Sequence, residues 1–229
     1  MVRKLNGFYT AVIFDLDGTL VNTIDDITDA MNYVLQKRGF PLHHANTYMR
    51  FIGDGIEDFV RRALPIHHRD NNGIDECVEE MRSRYARLWK RKSRPYSGIE
   101  TLLSILQDSG LKLGILSNKP DDFTREMVAY IFHQYHFESV KGAVQGTPKK
   151  PDPTGAIAIA EQMKTTPDHC IYIGDSEVDI QTAKNAGMVS VGVTWGFRTR
   201  DDLVKNGAEI IIDEPEQLIP VLHHISAKS

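Results

Sequence analysis

The chain alternates short, uninterrupted apolar runs with longer stretches in which apolar residues recur every three or four positions. The runs YTAVIF (Tyr9 to Phe14), LKLGILS (Leu111 to Ser117), CIYIG (Cys170 to Gly174), VSVGVT (Val189 to Thr194) and AEIIID (Ala208 to Asp213) lack the polar alternation of a half-exposed strand. They therefore predict strands covered on both faces. VKGAVQG, around Val140, is a weaker sixth candidate. Between the runs, GIETLLSILQDSG carries Leu102, Leu103, Ile105 and Leu106 and ends at Gly110, and SEVDIQTAKNAG closes in the same way on Gly187. A glycine just past the last periodic residue is a helix C-terminal signal. Strands alternating with helices predict an α/β fold with a doubly wound, parallel, Rossmann-like sheet.

From Asn22 to about Arg94 this rhythm stops, and more than seventy residues pass with helical periodicity and no convincing strand. In NTIDDITDAMNYVLQKRG, the residues Ile24, Ile27, Ala30, Met31, Val34 and Leu35 share one face, with capping positions at Asn22/Thr23 and a stop at Gly39. GIEDFVRRAL and DECVEEMRSRYARLWKR predict later helices. The expected organisation is an α/β core made of residues 1–21 and 95–229, with an α-helical cap, residues 22–94, inserted after the first strand. SRPYSG serves as the return linker.

A length of 229 residues suits such a core with an insert. The formal net charge of -4 provides no general attraction to nucleic acid or to an acidic membrane. The basic run RLWKRKSR ends a helical pattern, where cations complement the helix dipole. Cys77 and Cys170 form neither a C-x-x-C nor a metal-ligand spacing, which fits a reducing compartment. The amino-terminal apolar run is too short to span a membrane and lacks a cleavage pattern, so the expected location is the cytoplasm. The adjacent pairs His43-His44, His67-His68 and His223-His224 read as loop or surface residues, because neighbours in sequence do not share a helix face. Phe8, Trp89 and Trp195 carry no pattern beyond packing.

Polar residues fall at the carboxyl end of each strong strand: Asp15 and Asp17 after the first, Ser117-Asn118-Lys119 after the second, Asp175-Ser176 after CIYIG. Lys149-Lys150 follows the weaker strand. In an open α/β sheet ligands bind beyond the carboxyl ends of the strands, so these distant segments are expected to converge. Asp15, Asp17, Asp175 and Asp179 would then share one neighbourhood. At an effective dielectric of about 20, each close like-charge pair costs about 4 kcal/mol, so the cluster calls for cations. A lysine and a hard divalent ion answer that need, and an all-oxygen site with room for water and phosphate suits Mg2+. The Asp-Leu-Asp-Gly segment is not a calcium EF-hand loop, since Thr19 and Leu20 occupy the positions that need an acid or Asn and a Gly.

Taken in order, Asp15-x-Asp17-Gly18-Thr19, Ser117-Asn118, Lys150 and Gly174-Asp175-x-x-x-Asp179 resemble the four motifs of the haloacid dehalogenase superfamily. The helical insert, SNKP and KKPDPTG make the chain look most similar to the phosphoglycolate phosphatase branch, although Asn22 stands where relatives often carry Asp. The resemblance implies phosphoryl transfer. Asp15 would be the nucleophile forming an aspartyl-phosphate, and Asp17 the general acid and base. Mg2+ would be held by Asp15, the backbone carbonyl of Asp17 and Asp175, with Asp179 orienting water or supporting the ligands. Ser117 and the amides around Asn118 would bind phosphate, and Lys150 would neutralise nucleophile and phosphate. The dehalogenases of the superfamily lack the second acid, so Asp17 points to an oxygen leaving group.

The same resemblance implies that the cap closes over the site and selects the substrate. Its expected contributor is the turn RFIGDGIEDF, where Gly53 and Gly55 allow close approach and Arg50 is a candidate reader of a substrate carboxylate. The turn has no Gly-Lys-Ser/Thr and is not a P-loop. The expected partner is a small phosphorylated metabolite, and monomer and homodimer both remain open. Alternatives are a sugar phosphomutase of the β-phosphoglucomutase kind and a pyrophosphatase or nucleotide phosphatase; relatives of the mutase kind tend to read DGV where this chain has Asp17-Gly18-Thr19.

Overall fold

A computed structural model describes residues 9–224, the side chains of 223 and 224 excepted. Phe8 and the side chains of His223-His224 lie outside the described residues. The chain enters through strand β1 (Ala11–Phe14) and the two-residue strand β2 (Val21–Asn22). Four helices follow: α1 (Ile24–Lys37), α2 (Ala45–Phe51), α3 (Ile56–Ala63) and α4 (Asn71–Leu88). After β3 (Arg94–Pro95) and α5 (Ile99–Asp108) come β4 (Lys112–Pro120), α6 (Asp121–Ile131), β5 (Ser139–Ala143) and α7 (Thr154–Gln162). β6 (Cys170–Gly174), α8 (Glu177–Ala186), β7 (Val189–Val193), α9 (Arg200–Lys205), β8 (Ile210–Ile212) and α10 (Leu218–His224) complete the order.

Six strands form one parallel sheet in the order β5-β4-β1-β6-β7-β8. β1 lies at its centre, with Val12 opposite both Leu113 of β4 and Ile171 of β6. The alternation along β1 explains its all-apolar sequence. Val12 and Phe14 enter one core with α5, α6 and the cap, while Ala11 and Ile13 enter a second core with α7 and α8. Both faces are covered, so no polar position is tolerated until the strand ends; burying each large side chain contributes about 1.5–3 kcal/mol. The weak candidate near Val140 is the edge strand β5, whose half-buried, mixed residues blunt the strand signal. Gly39, Gly110 and Gly187 follow their helices with φ of 69°, 78° and 72°.

The stretch between β2 and β3 contains helices and no other strand, making the fold a doubly wound sheet with an inserted helical cap. β2 and β3 pair antiparallel, Val21 with Pro95 and Asn22 with Arg94, so both linkers to the cap run side by side. Asp26, fully buried at the start of α1, ties them together: its Oδ2 accepts from the Lys92 and Ser93 amides and the Ser93 hydroxyl at 2.9, 2.7 and 2.8 Å. The cap of α1 differs from expectation. Thr23 is the N-cap but makes no side-chain cap bond, whereas Asn22 Oδ1 accepts from the Ile24 amide at 3.3 Å. The basic run is taken up locally, with Lys90 pairing Glu126, Lys92 pairing Asp29 and Arg94 donating to nearby carbonyls. Among the described residues, no helix is long and apolar enough to cross a membrane.

Candidate active site

Asp15 is the first residue beyond β1, its amide donating to the Ile173 carbonyl of β6 at 2.9 Å. The central strand thereby aims a carboxylate out of the sheet between its two neighbours. The next residues turn sharply through Gly18, whose φ is 85°. A Cβ there would lie 2.4 Å from Asp175 Oδ2, so this position demands glycine on both conformational and spatial grounds. Thr19 donates its hydroxyl to Asp175 Oδ1 at 3.2 Å.

The turn after β6 brings Asp175 and Asp179 to the same place. Asp179 closes a capping box on α8, its Oδ2 accepting from the Ser176 amide at 3.1 Å and the Ser176 hydroxyl at 2.6 Å. Its Oδ1 accepts from Lys150 Nζ at 2.7 Å. The same ammonium sits 2.8 Å from Asp15 Oδ1, although the angle leaves that oxygen without a well-directed hydrogen-bond donor. Burial works against the Lys150 charge, but Asp15 and Asp179 more than offset it and hold the ammonium well above the usual lysine range.

Asp15, Asp175 and Asp179 each offer an oxygen within 4.8 Å of the others, and all three are buried. Three carboxylates facing one lysine leave a deficit of two charges. Burial pushes Asp15 up to about 7, with Lys150 opposing and Asp179 and Asp17 reinforcing. Asp175 is raised well above the ordinary carboxylate range by burial and by its two neighbours, against the pull of the Phe197 amide and Arg198. A cluster that can relieve its repulsion only by taking up protons, with an undonated oxygen on Asp15, fits a divalent hard cation. Among the described residues this is the one cluster with such spacing, and no histidine joins it.

Asp17 belongs to a different pairing. Its carboxylate accepts from Lys119 Nζ at 3.0 and 3.1 Å. Lys119 also donates to the Tyr85 hydroxyl, on cap helix α4, at 2.9 Å. β4 carries these groups because it outruns its neighbour, with a register shift between Leu116 and Pro120 that carries Ser117, Asn118 and Lys119 over the sheet edge. Ser117 lines the cavity, with its hydroxyl accepting from the Lys119 amide at 3.3 Å.

Asn118 lines the cavity and Arg50 does not. The Asn118 side chain is occupied with backbone: it donates to the Gly53 and Lys150 carbonyls at 2.8 and 2.9 Å and accepts from the Lys150 amide at 2.9 Å. It positions the lysine and the cap turn, leaving its main chain to face a ligand. Arg50 is exposed at the end of α2, where its charge acts on Asp202, and does not line the cavity. Gly53 and Gly55 do line it, with φ of 140° and 100°.

The cavity between sheet edge and cap measures about 80 Å³ and is lined by Asp15, Lys150 and Ser117 from the core, with Phe59, Met81 and Phe123 among its apolar residues. Sequence reasoning missed Lys119, Tyr85 and the loop after β7. In that loop Phe197 donates its amide to Asp175 Oδ2 at 2.7 Å and Trp195 Nε1 donates to the Thr19 carbonyl at 3.0 Å, so Trp195 does more than pack. Arg198 reaches the cap, donating to the Met49 carbonyl and to that of Ile52 at 2.9 Å. The only trace of Lys119 in sequence is its place in the polar end of a strand.

The profile of the haloacid dehalogenase-like hydrolases matches residues 12–193. A phosphoglycolate phosphatase of Xanthomonas campestris pv. campestris is 30% identical over 212 residues, covering 92% of this chain and 95% of its own. One of Pseudomonas savastanoi pv. phaseolicola is 29% identical over 213 residues, covering 91% and 78%. A haloacid dehalogenase-like family hydrolase of Streptococcus pneumoniae superimposes with a TM-score of 0.84 at 26% identity, covering 93% of this chain and 98% of that one.

Proposed function

Because the chain belongs to the haloacid dehalogenase-like hydrolase family, we propose that it is a Mg2+-dependent phosphatase hydrolysing a small phosphomonoester, phosphoglycolate foremost, through an aspartyl-phosphate. The observation that carries this reading is Asp15: a buried carboxylate at the end of the central strand, 2.8 Å from Lys150, with an acid two residues on whose partner is a different lysine. The relatives named phosphoglycolate phosphatase support the substrate class.

In this reading an Asp15 oxygen attacks phosphorus, the bond from phosphorus to the ester oxygen breaks, and Asp17 delivers its proton to the departing oxygen. Asp17, now a carboxylate, removes a proton from the water that attacks the aspartyl-phosphate, freeing Asp15 and phosphate. Lys150 holds Asp15 and the phosphate oxygens against their mutual repulsion, and the Ser117 hydroxyl with the neighbouring amides binds phosphate. Asp15, Asp175, the backbone carbonyl of Asp17 and, in support, Asp179 would hold Mg2+, which when bound supplies charge neutralisation at the phosphate. The cap, residues 22–94, closes over core segments 1–21 and 95–229 and excludes water.

The test is phosphate release from a panel of phosphomonoesters with Mg2+. Asp15→Asn is expected to lower kcat by more than about 1000-fold, since the nucleophile is lost. Comparable turnover in Asp15→Asn, or no release from any member of the panel, overturns the proposal.

A further inference from the structure

Lys119 is not explained by the chemistry so far. Its side chain is 5% exposed, yet it lines the cavity. Burial acts against its charge, and Asp17 with Tyr85 more than offsets that, so the group is an ammonium at neutral pH. The phosphate end already has a cation in Lys150. The other cationic lining residue among those described, Arg82, pairs with Asp122 at the exposed rim. Lys119 is therefore the buried cation left beside Asp17, in a cavity whose apolar lining includes Phe59, Met81 and Phe123.

We propose that Lys119 is a specificity-determining residue that receives a carboxylate borne by the leaving group, one carbon from the ester oxygen. The inference rests on the phosphatase reading, because it takes Asp17 as the group that meets the ester oxygen. Lys119 Nζ lies 3.0 and 3.1 Å from the Asp17 oxygens, so whatever extends one carbon beyond that oxygen arrives at the ammonium. Two of its three N–H groups face Asp17, and the third donates to a neutral acceptor, the Tyr85 hydroxyl, at 2.9 Å. A carboxylate accepts from an ammonium about twice as strongly as a neutral oxygen does, so an anionic substrate displaces or shares that bond favourably. A neutral leaving group offers no such exchange. Tyr85 comes from α4 and Lys119 from β4, so the acceptor that holds Lys119 ready is brought by the cap. The cavity thus has two cationic ends, Lys150 for phosphate and Lys119 for carboxylate, separated by the Asp15 and Asp17 carboxylates.

The test compares phosphoglycolate with ethyl phosphate, which carries a methyl group in place of the carboxylate, in the wild type, Lys119→Met and Lys119→Arg. Lys119→Met is expected to lower the ratio of kcat/KM for phosphoglycolate over ethyl phosphate by about 20-fold or more, mainly through the KM for phosphoglycolate, whereas any loss transmitted through Asp17 falls on both substrates alike. Lys119→Arg should retain part of the preference. Binding is read separately by calorimetry with the inert pair 3-phosphonopropionate and propylphosphonate, whose affinity gap should close in Lys119→Met. Equal losses on both substrates would make Lys119 a support for Asp17 alone and overturn the proposal, as would a wild type with no preference for the carboxylate. If Lys119→Met does not fold, Asp17→Asn/Lys119→Met is compared with Asp17→Asn by calorimetry alone, and an unchanged affinity gap overturns the proposal. A wild type that releases phosphate from neither ester, yet binds 3-phosphonopropionate through Lys119, would instead refute the phosphatase reading.

Discussion

Removing Arg198 should act mainly by opening the cap, since its hydrogen bonds go to cap carbonyls and to Glu177 and it makes none to the acidic trio. The guanidinium stands on the core loop after β7, 9% exposed, and donates to the Met49 and Ile52 carbonyls at the C-terminal end of α2. Its Glu177 partner, at 2.7 Å, is 40% exposed, so solvent screening limits that ion pair to at most about 1 kcal/mol. The two carbonyl bonds carry the effect, since a hydrogen bond to a charged group contributes about 1.5–3 kcal/mol. Opening the cap wets those carbonyls, so Arg198→Ala penalises the closed state relative to the open one rather than the fold as a whole. A loss of about 3 kcal/mol lowers the closed-to-open ratio by about 100-fold. If the substrate binds productively only to the closed form, KM rises by a factor between about 10 and 100 while kcat changes less than about threefold. Arg198→Lys should recover only part, because a single ammonium cannot bridge both carbonyls and Glu177. Steady-state kinetics on phosphoglycolate, with limited proteolysis of the linkers around β2 and β3, reads both consequences. Unchanged KM and unchanged cleavage in Arg198→Ala, or a loss confined to kcat, would refute the reasoning.

Metal and pH should be linked. In the metal-free protein Asp15 is held up to about 7 and Asp175 well above the ordinary carboxylate range, so the folded chain binds more protons than the unfolded one from about pH 4 to 7. Stability then falls as pH rises through that window. Mg2+ displaces those protons, so its addition should raise Tm more at pH 8 than at pH 6; equal rises would count against the acidic trio as the metal site. At the linkers, Asp26→Ala leaves the buried Ser93 amide and hydroxyl and the part-buried Lys92 amide without their acceptor and should destabilise the protein by about 2–4 kcal/mol in urea titration, with Asp26→Asn costing less. A loss below about 1 kcal/mol for the alanine variant would show that water replaces the carboxylate.

The legible parts of the site were those that end a strand. Asp15, Ser117 and Asp175 each follow an apolar run, and a run buried on both faces has no reason to stop at a polar residue unless that residue is used. Asn118 was visible in the same way, but its role was not, because the carbonyls it bonds belong to segments 65 and 32 residues away. Arg50 illustrates the opposite error: a charge in a plausible turn that does not line the cavity. The edge strand β5 was faint because its residues are half exposed and mixed in character.

Hydrophobic period and residue order, local properties that any fold must respect, were enough for the parallel sheet, the helical insert and the candidate acids with Lys150. How the charges pair emerges only in the folded chain: Lys150 with Asp15 and Asp179, Lys119 with Asp17 and Tyr85, Arg198 with the carbonyls of the cap. The physical reason is distance. An ion pair depends on separations of about 3 Å between side chains that are in places more than a hundred residues apart, and such separations exist only once the cap rests on the sheet edge.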